Sequence, residues 1–287
     1  MSDFTPLRSV LYMPSSNAKA VEKAKTLETD AVIFDLEDAV APDAKVEARA
    51  AAVAAVQSGE YGKRTLTIRV NGIGTEWHDD DLAAAAAAGP HAIVVPKVNT
   101  VDDLNQVVAG MEAAGAPAHT TVWAMIETPA AIFNAREIAG GNRISAFVMG
   151  TNDLVKELYA EHIPGRENIL TSLQLATLAA REHGIAILDG VYNDVRNLEG
   201  FEAECEQGRY MGMDGKTLIH PGQLEGANKV FAPSPEAVEN AKGLIEAWNE
   251  GGAGGVVTYN GRLVENLHVD SAKRVLDIAA AIEAFSA

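Results

Sequence analysis

The sequence predicts an α/β fold, a (β/α)8 TIM barrel followed by a C-terminal helix–hairpin–helix extension. Three observations carry this reading. Eight short, β-branched apolar runs recur at 9–13, 31–36, 66–70, 92–96, 121–126, 146–150, 185–189 and 216–220. The runs are continuous rather than alternating, as strands are when both faces are buried in a parallel sheet. Ala-, Glu- and Lys-rich stretches such as 17–29, 42–57 and 102–115 lie between them and suit amphipathic helices. Eight strand–helix repeats point to a closed barrel, with an open doubly wound sheet as the alternative arrangement.

The barrel is expected over 1–230 and the extension over 231–287. In the extension, Pro235 stands near a helix start with Ser234 as its candidate N-cap. A glycine-rich break follows at 251–255, and then VVTY-NG-RLV reads as a hairpin, because Asn260-Gly261 supplies the positive φ angles of a type I′ turn. A last helix is expected over roughly 269–285. This segment is too small for a domain of its own, and its expected role is to cover an active site, its own or that of a neighbouring subunit.

At 287 residues the chain fits one barrel and can bury a full core without cross-links. Its single cysteine, Cys205, excludes an internal disulfide, and no Cys/His cluster has zinc spacing. Cys205 falls in an acidic helical stretch, which argues against an activated thiolate. A net charge of −17 repels DNA and RNA on average, and no basic stripe is present, so no nucleic-acid partner is expected. The first residues lack a signal-peptide pattern, and no apolar run reaches the roughly 20 residues a bilayer requires. A cytoplasmic enzyme with no membrane partner is expected. There is no G-x-S-x-G elbow, which disfavours serine hydrolase chemistry.

Loops after the strands of a barrel gather at one face, so polar groups there are the candidates for chemistry. Nearly every run ends in one: Asp35, Glu37 and Asp38; Arg69 and Asn71; Lys97; Glu127; Asn152 and Asp153; Asp189; Lys216 and His220. Glu127 and Asp153 follow the fifth and sixth strands, which are neighbours. Two carboxylates with the remaining positions left to water and substrate suit Mg²⁺, with Mn²⁺ also admissible. The alternative is that each caps a helix or pairs with lysine. Glu37 and Asp38 are candidates to hydrogen-bond waters on the metal, against a cap or an ion pair with Lys45. Arg69 ends an apolar strand, where its planar fork can hold a substrate carboxylate, against a salt bridge to Glu37 or Asp38. Lys97 is either part of the site or an internal counter-ion for the acidic ring. The loop after the first strand, Ser15, Asn17 and Lys19 with Lys23 beyond, opens a helix and could hold phosphates. A lone His220 is more often a hydrogen-bonded structural residue.

Taken together, RSVLYMP (8–14), DLEDAV (35–40), IRVNG (68–72), MIETP (125–129), GTND (150–153), GKTLIHP (215–221) and PSPE (233–236) resemble the HpcH/HpaI-type citrate lyase β-subunit/malyl-CoA lyase family, in family order and over nearly the whole chain. The resemblance implies an Mg²⁺-dependent enzyme on a 3-hydroxyacyl-CoA, assembled as a homotrimer or a dimer of trimers. It assigns Glu127 and Asp153 to the metal and Arg69, Gly150, Thr151 and Asn152 to the substrate. It lays coenzyme A across the barrel mouth, with Arg8, Ser15, Asn17 and Lys19 as its expected contacts. The C-terminal segment of such enzymes brings a carboxylate, typically aspartate, to a neighbouring site; here Glu265 stands in that place. One extra methylene shifts a carboxylate by roughly an ångström, enough to change which proton it reaches. MGTNDLVKEL (149–158), AECEQG (203–208) and ENLHV (265–269) look most like the (3S)-malyl-CoA thioesterase branch. The expected reaction is hydrolysis of (3S)-malyl-CoA to malate and CoA, with Glu265 and Arg69 as catalytic residues. Alternatives are lyase cleavage of malyl-, methylmalyl- or citramalyl-CoA, a citrate lyase β-like subunit serving an acyl carrier, a CoA-independent oxo-acid aldolase, and a non-catalytic binding protein.

Overall fold

Eight parallel strands close on themselves: β1 (Ser9–Pro14), β2 (Ala31–Asp35), β3 (Thr65–Arg69), β4 (Ala92–Val95), β5 (Thr121–Ile126), β6 (Ile144–Met149), β7 (Ala186–Asp189) and β8 (Gly215–Leu218). The computed structural model describes residues 5–251 and 256–286. Closure is made by β1 and β8, with Ser9, Val10 and Leu11 opposite Lys216, Thr217 and Leu218. All eight expected strands are present. Seven differ from the expected bounds by one or two residues at an end and β5 matches; after β8, His220 leaves the sheet and its ring accepts from the Gly222 N–H at 3.0 Å to open a short 3-10 turn.

The inner face of the barrel follows a period of two. Val10, Ile33, Val94, Trp123, Met125, Val148 and Leu188 form one buried cluster, with Tyr12 packed against it. Side chains alternate across a strand, so stepping two further along the same face reaches Asp35, Glu127 and Gly150 at the carboxyl ends of β2, β5 and β6. The same face of β3 carries Arg69, in register with Asp35. Residues of the opposite parity, such as Val32, Ile93 and Phe147, are fully buried on the outside of the barrel. The continuous apolar runs are thus explained by two buried faces.

The helices expected at 17–29, 42–57 and 102–115 occur at Ala18–Ala24, Lys45–Gln57 and Val101–Ala113. The last begins in a capping box, with Thr100 Oγ1 accepting from the Asp103 N–H while the Asp103 carboxylate accepts from the Thr100 N–H.

Contacts divide the chain into two compact units, Leu7–Asn228, which holds the barrel, and one whose long segment begins at Lys229. Within the latter, Ser234 caps the helix Pro235–Gly251 by accepting from the Ala237 N–H at 3.1 Å. β9 (Val257–Tyr259) and β10 (Arg262–Val264) pair antiparallel. Asn260 (φ 50°) and Gly261 (φ 72°) make the expected type I′ turn. Val257, Val264 and Val269 pack with Leu244 and Trp248 into a small core of their own. The last helix runs Asn266–Ser286, starting three residues earlier than expected. Of the glycine-rich break, 252–255 lie outside the described residues. Among the described residues, no helix is long and apolar enough to cross a membrane.

Candidate active site

Arg69 is the hub of the barrel mouth. Its Nε and Nη2 donate to the two oxygens of Asp35 at 2.6 and 2.7 Å, and Nη1 reaches Glu37 at 2.7 Å and Asp38 at 3.4 Å. The Tyr12 ring stacks on the guanidinium, 4.7 Å from ring centre to Cζ. The salt-bridge alternative for Arg69 is therefore present, and Asp35 is its principal partner. Burial pushes the Glu37 carboxyl up to about 8, against the pull of Arg69 and with the help of Asp38. Glu37 and Asp38 both lean on Arg69. Lys45, the alternative partner for Asp38, donates instead to the carbonyls of Leu36 and Glu37 at 2.8 and 3.0 Å, and lies over the Trp77 ring.

Across the mouth, Glu127 leaves β5 just before Thr128 caps the helix Pro129–Phe133, its Oγ1 accepting from the Ala131 N–H at 3.1 Å. The Glu127 Oε1 accepts from the Lys97 backbone N–H at 2.8 Å. The Lys97 ammonium lies 3.2 Å from Asp153 Oδ1, in the first turn of the helix Thr151–Glu157. Gly150 sits between: a Cβ built there would be 2.2 Å from Glu127 Oε2 and 2.4 Å from Glu127 Cβ. Only glycine admits this carboxylate. Burial, then the nearby charge of Asp153, pushes Glu127 up to about 7. A cavity of about 270 Å³ is lined by Tyr12, Arg69, Glu127, Gly150, Thr151, Asn152 and Asp153 together.

This donor set fits a hard divalent cation. Two carboxylates that follow adjacent strands line one cavity, one of them seated in a cradle that a Cβ at Gly150 would fill, and Mg²⁺ needs few protein ligands. Among the described residues no three His, Cys, Asp or Glu gather as a metal cluster, so any such ion rests on the carboxylate pair, water and substrate.

The structure brings most of the sequence-derived residues to this mouth, but not all. Thr151 and Asn152 line the cavity; the Asn152 amide exchanges two hydrogen bonds with Asn193 at 3.1 and 2.8 Å, bracing the loop after β7. Ser15 follows β1 and is 1% exposed, with its Oγ lacking a hydrogen-bond partner. Asn17 caps the helix Ala18–Ala24, its side chain accepting from the Ala20 N–H, and Lys19 is exposed on that helix. Arg8 is a correction. It precedes β1, at the amino end of the strands and so on the face opposite the mouth, and Asp30 takes its guanidinium at 2.7 and 2.9 Å. Asp189 and Lys216 are also not mouth residues. Both have the parity of the outer face and are fully buried, 3.0 Å apart, with Arg166 2.7 Å from Asp189 and Glu204 2.7 Å from Lys216. Burial pushes the neighbouring Cys205 thiol up to about 12, in keeping with a packing role. Glu265 lies between β10 and the last helix, exposed.

Sequence reasoning missed Tyr12 and the approach of Gly150 to Glu127. The parity of Tyr12 with Val10 could have flagged the first. Nothing local in the sequence distinguishes Gly150 from an ordinary strand-to-helix glycine.

The HpcH/HpaI aldolase/citrate lyase family model matches residues 8–221. A (3S)-malyl-CoA thioesterase of Cereibacter sphaeroides is 50% identical over 284 residues, 98% of each chain. The citrate lyase subunit beta of Escherichia coli K12 is 34% identical over 280 residues, 95% of this chain and 93% of that one. Among solved structures, protein CitE of Mycobacterium tuberculosis in complex with magnesium, acetoacetate and coenzyme A superposes with a TM-score of 0.77 at 26% identity, covering 95% of this chain and 97% of that one. A citrate lyase from Burkholderia xenovorans, 20% identical, shares the fold with a TM-score of 0.84 over 98% of this chain and 93% of that one. With a family model spanning the whole barrel and full-length relatives of this identity, the chain belongs to the HpcH/HpaI aldolase/citrate lyase family.

Proposed function

We propose that this protein is an Mg²⁺-dependent enzyme that hydrolyses (3S)-malyl-CoA to malate and CoA. The observation that carries the reading is the 50% identity, over 98% of both chains, to a (3S)-malyl-CoA thioesterase. The mouth supports it independently, since it offers a carboxylate pair for a cation and a guanidinium for an anion within one 270 Å³ cavity.

In this account Glu127 and Asp153 hold the ion. Bound there, Mg²⁺ would supply Lewis-acid stabilisation to oxygens of the malyl unit. Arg69, locked by Asp35 and stacked by Tyr12, fixes the malyl carboxylate by charge without having to reorganise. Gly150, Thr151 and Asn152 shape the pocket around the acyl chain. Asn17, at the end of the loop after β1, and Lys19, exposed on the helix it caps, meet the CoA moiety, whereas Ser15, 1% exposed, is too buried to contact it. The extension over 231–287 covers an active site of a neighbouring subunit in a homotrimer or dimer of trimers, and Glu265 acts there as general base. Its carboxylate takes a proton from water as the water oxygen bonds to the thioester carbonyl carbon. The C–S bond then breaks and the CoA sulfur leaves with a proton returned from Glu265.

Glutamate in the place of the usual aspartate favours attack by water over removal of the substrate hydroxyl proton. Glu265→Asp is expected to lower hydrolysis and to open carbon–carbon cleavage; full hydrolysis with no cleavage would count against this role. The whole reading is tested by mixing the protein with Mg²⁺ and (3S)-malyl-CoA and identifying products by mass spectrometry. Malate with free CoA is the expected result. Glyoxylate with acetyl-CoA would make the protein a lyase, and no turnover would remove the assignment.

A further inference from the structure

One residue meets both candidate metal ligands from the protein side. The Lys97 backbone N–H donates to Glu127 Oε1 at 2.8 Å and its ammonium lies 3.2 Å from Asp153 Oδ1. Its φ of 52° is in the left-handed region, which a lysine adopts at a cost of about 1 kcal/mol. This backbone turn lets the amide and the side chain of a single residue converge on two different carboxylates. The Arg69 guanidinium also acts on Glu127 by charge, but its nitrogens are engaged by Asp35, Glu37 and Asp38. The two contacts also differ in kind. The amide dipole orients Glu127, which is 2% exposed, whereas the ammonium is a full charge on a side chain 44% exposed and able to swing into water.

Two carboxylates facing one cavity repel each other, and a cation between them relieves that repulsion. We propose that Lys97 is a resident cation: its ammonium holds the Glu127–Asp153 pair together in the metal-free protein and competes with the divalent ion that binds there. The inference rests on the reading that this pair is the metal site. Lys97 thereby sets the free Mg²⁺ concentration at which the site fills. An ammonium a few ångströms from a divalent ion opposes its binding, and partial exposure reduces the effect to about tenfold in affinity.

The test is Mg²⁺ titration of the full chain by calorimetry, with melting temperatures measured with and without Mg²⁺. Lys97→Met is expected to bind Mg²⁺ about tenfold more tightly than the wild type, to melt lower without metal, and to gain more from its addition. Lys97→Arg, which keeps the charge, is expected to retain wild-type affinity. Lys97→Gly keeps the amide and accepts the φ, so it should tighten binding as the Met variant does and serves if that variant folds poorly. Unchanged or weaker Mg²⁺ binding in both neutral variants, with wild-type binding intact, overturns this proposal alone. Absence of Mg²⁺ binding by the wild type removes the metal site itself and the proposal with it.

Discussion

Replacing Gly150 by alanine adds one methyl group at the point where β6 hands the chain to the next helix. The backbone itself would not object, since φ there is −94°. The cost is steric and falls on one residue. The new Cβ would stand 2.2 Å from Glu127 Oε2 and 2.4 Å from Glu127 Cβ. Ordinary contact begins near 3.4 Å, so the root of the Glu127 side chain must retreat by about 1 Å. Such overpacking costs about 1–3 kcal/mol, which a barrel of this size can absorb without unfolding. A metal site cannot absorb it, because ligand distances are held to within about 0.2 Å. The variant is thus expected to keep its circular dichroism spectrum while losing the rise in melting temperature caused by Mg²⁺. Turnover should fall about 100-fold or more, as an ångström of misplacement commonly exacts. A Gly150→Ala protein that binds Mg²⁺ and turns over like the wild type would refute the placement of Glu127 in the metal site.

Three further outcomes follow from the same geometry. Arg69→Met leaves the fully buried Asp35 carboxylate without its bidentate partner, and denaturant unfolding should show a loss of roughly 3–5 kcal/mol along with loss of activity. Lys216→Met breaks a pair on the outer face of the barrel; it should lower stability in the same assay while Mg²⁺ affinity by calorimetry stays unchanged, and a fall in affinity would contradict the parity assignment. The pH response has a definite sign. Glu127 is raised from an ordinary 4.5 to about 7 by burial and Asp153, so the folded metal-free state favours its protonated form. Its contribution, roughly 3 kcal/mol, is fully present below about pH 4.5 and is lost as pH rises through 7. Glu127→Gln should abolish that part of the stability profile, and Mg²⁺ affinity of the wild type should rise with pH up to about 7 and then level off; a flat affinity between pH 5 and 8 would refute the shift.

The barrel was legible because each strand is buried on both faces, so burial alone marks it in the sequence. The hairpin was legible because Asn260-Gly261 permits few other turns. What the strand list alone did not reveal was which face each polar residue occupies. Glu127 and Asp189 both end apolar runs, yet parity sends Glu127 inward and Asp189 outward to Lys216. Counting in twos from Met125 reaches Glu127, whereas Asp189 is one step from the inward-facing Leu188. Arg8 was misplaced by a related ambiguity, since a residue before a strand and one after it look equally like a strand end. The Asp35–Arg69 pair depends on the register of two neighbouring strands, and the contact of Gly150 with Glu127 on a distance between β5 and β6. Neither is written in local sequence.

Mn²⁺ binding to the wild type, Glu127→Gln and Asp153→Asn, counted by calorimetry and by loss of the free-ion electron paramagnetic resonance signal, tests the carboxylate pair most directly. One ion per chain in the wild type, displaced by Mg²⁺ and lost or weakened at least 100-fold in either variant, is the expected result. Equal binding in all three proteins would place the cation elsewhere and leave the barrel mouth without its proposed centre.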